Sequence, residues 1–426
     1  MVDGTQKMLE VDGLKCIYCG SKFPKRTLFE GCKLCREHGI NSNVTVTYSD
    51  IPQIQPDTNL SLYDRSMWRY RSLLGVQKNS EVSMGEGLTP LIKCGKLERK
   101  IGVNNLYLKN ESQNPTGSYK DRLASAAVTS ALGEKSIGIA TSSTGNHGAA
   151  TAAYAAKAGF KCIVFTVADI PDAMRFQMEA LGAMLIATER SADRWPLLKF
   201  CVEELGWYST GNYSNPPIGS SPYGIEGYKT IAYEISETLN WCAPDIVVMP
   251  VAYGDGLKGV YKGFQDLKAL NWIEKLPRMI AVESGGSLTH TIENDLEFPI
   301  KVDAFPSKAL SIDTPISTLQ ALQTIRESNG KAVHVSDQEI FKAQRMLGVY
   351  EGLFVEPASA AVLAGITRLT NNGSISDNSV VVGVLTATGL KYPSAVSNFS
   401  PEIPVIEPKS EALINSLNQV YGYKLC

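Results

Sequence analysis

The 426-residue sequence predicts an α/β protein with two domains, each built on a twisted and mostly parallel sheet, and a small separate unit near its amino-terminal end. Short apolar runs alternate with alanine-rich helical patterns, which is the arrangement expected for parallel strands joined by helices. Three loops rich in glycine or hydroxyl residues stand directly before predicted helices. Two Cys-x-x-Cys pairs precede this α/β body.

The alternation is clearest between residues 130 and 210. The predicted strands and helices there are Ser136–Ala140, Ala149–Ala158, Lys161–Val167, Ala173–Ala180, Met184–Ala187 and Ala192–Gly206. We interpret residues 130–210 as a small mobile domain inserted into a larger domain formed by residues 65–129 and 211–426. Farther along the chain, Ser336 is predicted to cap a helix over Asp337–Leu347.

The stretch from Asn114 to Arg122 places Lys120 where a polar Pro-Thr-Gly-Ser loop gives way to a helical pattern. A lysine at a helix N-terminus lies in a positive field, which favours the free amine over the ammonium ion. A free amine is what a carbonyl cofactor needs to form a Schiff base. On this segment alone, a solvated surface lysine is the competing interpretation.

A second loop, Thr141–Gly148, follows an apolar run and precedes the alanine-rich helix. Hydroxyls and backbone N–H groups in front of a helix N-terminus suit an anion such as a carboxylate. An ordinary N-capped turn between a strand and a helix is the alternative.

The third loop follows the apolar strand that begins at Asp245, and it runs through several glycines into a helix. Such a turn is a cradle for a phosphate group. Gly254, Gly256 and Gly259 also match the G-x-G-x-x-G spacing, and Glu283 could then bind a ribose. A nicotinamide-dependent oxidoreductase therefore stays as a remote alternative, although it leaves the other two loops unexplained.

Together these motifs resemble those of the pyridoxal-phosphate enzymes with the tryptophan-synthase β-subunit fold (fold type II), and most closely the threonine synthases. The likeness runs from Gly87-Leu-Thr-Pro-Leu91 to Gly389-Leu-Lys-Tyr-Pro393, with the motifs in the family's order. It implies that Lys120 forms the Schiff base, that Asn146 hydrogen-bonds the phenolic oxygen of pyridoxal 5'-phosphate, and that Thr386 faces the pyridine nitrogen. It assigns the cofactor phosphate to Gly254, Asp255, Gly256, Leu257 and Lys258, and the substrate carboxylate to Ser143, Thr144, Asn146 and His147.

A threonine does not hold the pyridine nitrogen protonated as an aspartate would, so the ring is a weaker electron sink. That suits elimination or replacement at Cβ or Cγ of an amino acid. The resemblance favours a threonine synthase, which would convert O-phosphohomoserine and water to threonine and phosphate. Two alternatives use the same chemistry: a cysteate synthase acting on phosphoserine and sulfite, and an ammonia-lyase for serine, threonine or diaminopropionate.

Two residues depart from the threonine-synthase pattern. Tyr119 stands where that family usually has phenylalanine, which adds one hydroxyl. His147 stands where threonine or a similar small residue is usual, and the Gly-Asn-His-Gly form is more like that of ammonia-lyases and racemases. An imidazole here could assist proton transfer or could structure the loop.

Near the amino-terminal end, Cys16-Ile-Tyr-Cys19 and Cys32-Lys-Leu-Cys35 offer four thiolates at short reach. This spacing predicts a zinc ribbon with four cysteine ligands over residues 11–40, holding structural Zn2+, in preference to a redox pair. A polar connector from Asn41 to Asp64 is expected to join it to the body. Some threonine synthases and cysteate synthases of the family carry such a ribbon.

The composition fits a cytoplasmic enzyme. A net charge of −2 and the lack of a dense basic run argue against nucleic acid and membrane partners. The first residues lack an apolar core, so we expect no signal peptide, and no run approaches membrane-spanning length. The other five of the nine cysteines are scattered, as in a reducing compartment. A homodimer is the expected assembly.

Overall fold

The computed structural model describes residues 9–49, 64–75, 80–303, 306–398 and 400–424. Most of the predicted connector, and Cys426, lie outside the described residues. The strands are β1 (Val11–Cys16), β2 (Lys22–Phe23), β3 (Val44–Tyr48), β4 (Leu91–Lys93), β5 (Asn105–Asn110), β6 (Ile139–Ser142), β7 (Cys162–Val167), β8 (Met184–Thr188), β9 (Tyr208–Ser209), β10 (Ile246–Pro250), β11 (Arg278–Glu283), β12 (Lys331–His334) and β13 (Val380–Leu385).

Most of the α-helices connect these strands or pack on their faces. They are α1 (Lys33–Glu37), α2 (Gly95–Ile101), α3 (Lys120–Gly133), α4 (Asn146–Lys157), α5 (Asp172–Ala180), α6 (Arg194–Glu203), α7 (Pro222–Gly227), α8 (Lys229–Thr238), α9 (Asp255–Ala269), α10 (Ser287–Glu293), α11 (Leu319–Glu327), α12 (Asp337–Glu351), α13 (Pro357–Asn371) and α14 (Ser410–Tyr421). None of the helices in the described ranges is long and apolar enough to cross a membrane.

The amino-terminal unit is a three-stranded antiparallel sheet with the order β2-β1-β3. Cys16 pairs with Val44 across β1 and β3, so the sheet continues well beyond residue 40. Its small core contains Leu14, Val44 and Val46 together with three of the four cysteines. The body residue Tyr223 belongs to the same core, which means that the ribbon packs directly on the α/β body.

A six-stranded sheet with the order β12-β11-β10-β13-β5-β4 forms the centre of the body. Its strands are parallel except β4, which pairs antiparallel with β5. Strands β10, β11 and β13 are apolar almost throughout, as expected for a sheet that is covered by helices on both faces. One core lies against α8 and α9, and the other lies against α12 and α13.

A four-stranded parallel sheet with the order β8-β7-β6-β9 lies within residues 139–209. Its core includes alanines of both α3 and α4. The opposite face of α3 supplies Leu123 and Ala126 to the core of the larger sheet. Helix α3 is therefore shared between the two sheets, and its first residue is Lys120.

Three chain segments leave their sheets close to that residue. Strand β6 ends just before α4, β10 ends just before α9, and Thr386 follows the last residue of β13. Ligands of parallel sheets bind beyond the carboxyl ends of the strands. The fold therefore places Lys120, the second and third predicted loops and Thr386 where one ligand can touch them.

Candidate active site

The predicted loops line one cleft with a volume of about 420 Å³. Of the residues assigned to cofactor or carboxylate, those lining it are Lys120, Ser143, Thr144, Asn146, His147, Gly254, Asp255, Gly256, Leu257 and Thr386. Lys258 does not line the cleft. Its backbone N–H donates to the carbonyl of Gly254 at 2.8 Å, and its Nζ lies 3.7 Å from Glu327.

Lys120 is held by its neighbours on both sides. The Tyr119 amide donates to the carbonyl of Thr386 at 2.8 Å. The Asp121 carboxylate accepts from the amide and hydroxyl of Thr116 at 2.9 and 2.8 Å, and burial raises the pKa of Asp121 to about 7. The Nζ of Lys120 lies 5.0 Å from the centre of the Tyr119 ring and 5.8 Å from that of Tyr228. The amine is thus presented to the cleft over two aromatic faces.

Arg122 anchors the same turn from behind. It is fully buried, and its guanidinium contacts both oxygens of Glu111 at 2.7 and 2.8 Å and both oxygens of Glu234 at 2.6 and 2.8 Å. Glu111 in turn accepts from the side chain of Asn114 at 2.9 Å, at the start of the lysine loop. This charge-assisted network fixes the loop to β5 and α8.

The hydroxyl of Ser143 organises the second loop. It accepts from the backbone N–H groups of Gly145 and Gly148 at 3.2 and 2.9 Å. The amides of Thr144, Asn146 and His147 donate to no residue that the structure describes, as expected at the start of a helix. These free N–H groups at the N-terminus of α4, with the partly exposed Thr144, form a binding site suited to a carboxylate.

His147 is partly exposed, and its Nε2 lies 3.0 Å from the hydroxyl of Thr210. That hydroxyl is also 2.9 Å from the hydroxyl of Thr151. Burial, and secondarily the charge of Lys120, hold the pKa of His147 well below its ordinary value. The imidazole is therefore neutral at physiological pH. Its contact with Thr210, the residue after β9, connects it to the four-stranded sheet.

Asn146 makes a contact that its sequence position did not reveal. Its Nδ2 donates to Glu356 Oε2 at 2.9 Å and reaches the Ser311 hydroxyl at 3.4 Å. Asn146 Oδ1 and Glu356 Oε1 are both buried and have no hydrogen-bond partner among the described residues. Burial raises the pKa of Glu356. Unsatisfied buried polar atoms are costly, and two of them side by side in a cleft indicate a ligand that supplies the missing partners.

The glycine-rich loop leads into the first turn of α9. Gly254 adopts φ +74°, and a Cβ on it would lie 2.5 Å from the side chain of Ala321, so that only glycine fits. The amides of Asp255, Gly256 and Leu257 donate to no described residue. Three free N–H groups at the N-terminus of a long helix form an anion cradle.

Both carboxylate oxygens of Glu283 already accept hydrogen bonds from the protein backbone, which removes the support for a nicotinamide site. Its carboxylate accepts from the amides of Leu288 and Thr289 at 3.0 and 2.6 Å and lies buried beneath α10. Gly259 packs against Tyr228, and a Cβ on Gly259 would lie 2.6 Å from the Cβ of Tyr228. The absence of a side chain at this position therefore allows close packing.

Thr386 is buried, and its hydroxyl lies 2.9 Å from the hydroxyl of Ser359. Ser359 also accepts from the amide of Ala387 at 2.8 Å. The Thr386 side chain borders the cleft, and its hydrogen-bond partner among the described residues is uncharged. The end of β13 therefore presents a neutral hydroxyl to the cleft.

Arg194, the first residue of α6, also lines the cleft and was not predicted. It is 8% exposed, and its guanidinium donates only to the carbonyl and hydroxyl of Ser191 among the described residues. It forms no ion pair with any described residue, and burial lowers its pKa. A buried cation without a counterion is costly, so the structure indicates that an anion binds here.

The four ribbon cysteines form a separate cluster. The sulfur atoms of Cys16, Cys19, Cys32 and Cys35 all lie within 4.8 Å of one another. Backbone amides of Tyr18 and Cys19 point at Cys16 Sγ at 3.4 Å each. Four converging sulfurs with amide donors around them are typical of a tetrahedral metal site with four thiolate ligands.

The chain is similar to proteins of known family over most of its length. The profile of the family described as pyridoxal-phosphate dependent enzyme matches residues 82–387. A threonine synthase of Methanocaldococcus jannaschii is 33% identical over 420 residues, which cover 95% of this chain and 99% of that protein. A threonine synthase of Methanosarcina acetivorans is 35% identical over 408 residues, which cover 94% and 97% of the two chains.

Among solved structures, maize serine racemase superposes with a TM-score of 0.63 at 21% identity. The superposition covers 73% of this chain and 91% of the racemase. At this identity the likeness establishes the fold alone. It confirms the fold class predicted from the sequence.

Proposed function

The chain belongs to the family of pyridoxal-phosphate dependent enzymes, and on this premise we propose that it is a threonine synthase, which converts O-phosphohomoserine and water to threonine and phosphate. The proposal is supported by relatives of that name along nearly the whole chain. It is also supported by Arg194, which lines the cleft without an ion-pair partner among the described residues.

The residues of the cleft fit the cofactor. The amides of Asp255, Gly256 and Leu257 would hold its phosphate. Asn146, whose Nδ2 is a hydrogen-bond donor at the cleft, would donate to its phenolic oxygen, and Thr386 would meet its ring nitrogen. When bound, pyridoxal phosphate supplies an electron sink for the bonding pair released at the substrate Cα.

The chain's own groups would then carry out the proton transfers and hold the substrate. Lys120, whose Nζ faces the cleft, would take the Cα proton of the substrate on that nitrogen. The N-terminus of α4, with Thr144, binds the substrate carboxylate and so orients Cα toward that amine. The imidazole of His147, held neutral, also borders the cleft and adds no charge of its own there.

Arg194 is the observation that carries the choice of substrate. Its guanidinium has no counterion among the described residues. A phosphate ester supplies two negative charges, and its oxygen atoms match the planar donor geometry of arginine. O-phosphohomoserine and phosphoserine both carry such a group beyond the carboxylate. Serine, threonine and diaminopropionate do not, so the cleft favours a phosphorylated substrate over those of an ammonia-lyase.

A substrate panel tests this choice. Purified protein supplied with pyridoxal phosphate is expected to release phosphate from O-phosphohomoserine faster than from phosphoserine, and to release little ammonia from serine or threonine. Arg194→Met should lower kcat/KM for O-phosphohomoserine about 10- to 100-fold, the cost of one lost hydrogen-bonded charge pair. Arg194→Lys keeps the charge and should retain more activity than Arg194→Met.

Two outcomes would contradict the assignment of Arg194. One is an Arg194→Met variant with unchanged kcat/KM for the phosphorylated substrate. The other is an equal loss of activity toward serine and O-phosphohomoserine, which would show that Arg194 only shapes the cleft.

For the ribbon, we propose one structural Zn2+ held by Cys16, Cys19, Cys32 and Cys35, because the donor set is all thiolate and the cluster is mostly buried. Metal analysis should find about one zinc per chain.

We also propose that the protein is cytoplasmic and that it forms a homodimer. Sedimentation at micromolar concentration measures the oligomeric state directly.

A further inference from the structure

The ribbon and the candidate cofactor site are joined by buried polar side chains. Ser42 and Asn43, which stand directly before β3, are 1% and 2% exposed. The Ser42 hydroxyl lies 3.2 Å from the Sγ of Cys16, one of the four clustered sulfurs. The Asn43 carbonyl accepts from the amide of Ile17, the residue after that cysteine, at 3.2 Å. This pair is therefore joined directly to the cysteine cluster.

The side chain of Asn43 faces away from the cluster and into the body. Its Nδ2 donates to the side-chain oxygen of Gln320 at 3.2 Å and to the carbonyl of Ser220 at 3.3 Å. Its Oδ1 accepts from the amide of Val44 at 2.9 Å, which fixes the orientation of the amide group. Both ends of the Asn43 side chain are thus used in this link.

Gln320 and Ser220 are the two residues that hold Asp255. Asp255 Oδ1 accepts from Gln320 Nε2 at 2.7 Å and from the amide of Ser220 at 2.9 Å, and Oδ2 accepts from the Ser220 hydroxyl at 2.6 Å. Gln320 Nε2 also donates to the carbonyl of Tyr253 at 2.9 Å. Asp255 is the first residue of α9, whose amides form the anion cradle.

The packing around this link is tight. Gly219 has φ +116°, and a Cβ on it would lie 2.2 Å from Gln320 Nε2 and 2.8 Å from Asp255 Oδ1. Gln320, Ser220 and Asp255 are each no more than 7% exposed. In such surroundings hydrogen bonds are strong, and a missing partner is not replaced by water. Hydrogen bonds thus run without a break from Asn43 through Gln320 and Ser220 to Asp255.

We propose that Asn43 and Gln320 are positioning residues through which the metal-bound ribbon sets the geometry of the phosphate cradle, so that loss of the ribbon metal weakens the binding of pyridoxal phosphate. This inference rests on the proposed placement of the cofactor phosphate at the start of α9. A ribbon that only stabilised the fold would affect melting temperature without affecting cofactor affinity.

Titration of cofactor-free, zinc-loaded protein with pyridoxal phosphate tests the coupling through the visible absorbance of the bound cofactor. Asn43→Ala should raise the dissociation constant about 10-fold, the effect of one buried hydrogen-bonded link, with zinc content unchanged. Gln323→Ala is the matched control. Gln323 lies on the same helix as Gln320 and donates to the carbonyl of Ile17 at 3.2 Å, but it does not touch Asp255. This control should lower the melting temperature and leave the dissociation constant unchanged.

A second measurement needs no variant. Removal of zinc from the wild-type protein by a chelator should raise the dissociation constant for pyridoxal phosphate, and zinc should restore it. In Asn43→Ala the same treatment should have little further effect, because the two changes break one link. Equal dissociation constants of Asn43→Ala and Gln323→Ala for pyridoxal phosphate would overturn the proposal. A wild-type affinity for pyridoxal phosphate that does not change when zinc is removed would also overturn it. If wild-type protein bound no pyridoxal phosphate at all, the site assignment itself would fall, and this coupling with it.

Discussion

His147 links the cleft to the pH dependence of folding. Burial holds its pKa well below the ordinary value of 6.5, so the folded protein keeps the imidazole neutral at pH values where the unfolded chain protonates it. As the pH falls below about 6.5, the unfolded state binds more protons than the folded state, and stability is lost. The loss continues until the pH reaches the lowered pKa of the folded state.

We therefore predict that wild-type protein loses up to about 1.4 kcal/mol more than His147→Gln between pH 7.5 and pH 5.5, because pH 5.5 lies about one unit below the histidine pKa of the unfolded chain. Urea unfolding of the cofactor-free protein at the two pH values measures this difference. His290→Gln, at an exposed histidine, is the control and should keep the wild-type pH dependence. A His147→Gln variant with the same pH dependence as wild type would show that the imidazole is not held neutral.

Local sequence motifs identified some of the side chains that line the cleft and missed others. Lys120, Asn146 and Thr386 are in sequence motifs, and all three line the cleft. Glu356 contacts Asn146 from 210 residues away and belongs to none of the motifs found in the sequence. Arg194 looked like an ordinary helical residue, because the lack of a counterion is visible only in the folded chain.

Arg122 shows how one helix is fixed to its neighbours. Helix α3 carries Lys120 at its first position, and the buried Arg122 pairs with Glu111 and Glu234 on either side. Removing Arg122 leaves Glu111 without its ion-pair partner, while Glu234 keeps Lys109 at 2.6 Å. Breaking such a buried pair typically costs about 3–5 kcal/mol. The start of α3 should therefore be among the parts of the fold most sensitive to substitution.

We predict that Arg122→Met lowers the free energy of unfolding by about 3–5 kcal/mol. The change should also weaken the binding of pyridoxal phosphate, because the lysine loop loses its anchor. Arg190→Met is the control: Arg190 pairs with Asp193 at 2.8 Å but is 81% exposed, and its loss should change stability by no more than about 1 kcal/mol. Denaturant unfolding of both variants measures the difference, and similar losses for the two would refute a special role for the buried network.

Helices and strands followed the sequence pattern closely, with differences at their ends. The predicted cap at Ser336 is confirmed as a complete capping box, while α12 continues to Glu351 and stops at Gly352, which has φ +70°. The strand predicted from Ser136 begins only at Ile139. The amide of Ser136 bonds the carbonyl of Ala131 and so closes the last turn of α3, a contact that apolar periodicity does not report.

For the chain as a unit, the pattern of alternating strands and helices predicted the fold class, and the order of motifs predicted the family. The pattern did not predict that α3 packs on both sheets, because an alanine-rich helix with little amphipathic contrast gives no sign of two partners. It also did not predict the buried contacts of Asn43, since the ribbon and the body are far apart in sequence. Long-range packing, not local propensity, decides both features.

The most direct test of the central claim is to supply the purified protein with pyridoxal phosphate and O-phosphohomoserine and to measure phosphate and threonine together. We predict that the two appear in equal amounts, and that Lys120→Ala yields neither and lacks the visible absorbance of the cofactor bound to lysine. Phosphate release without threonine, or an active Lys120→Ala variant, would contradict the account.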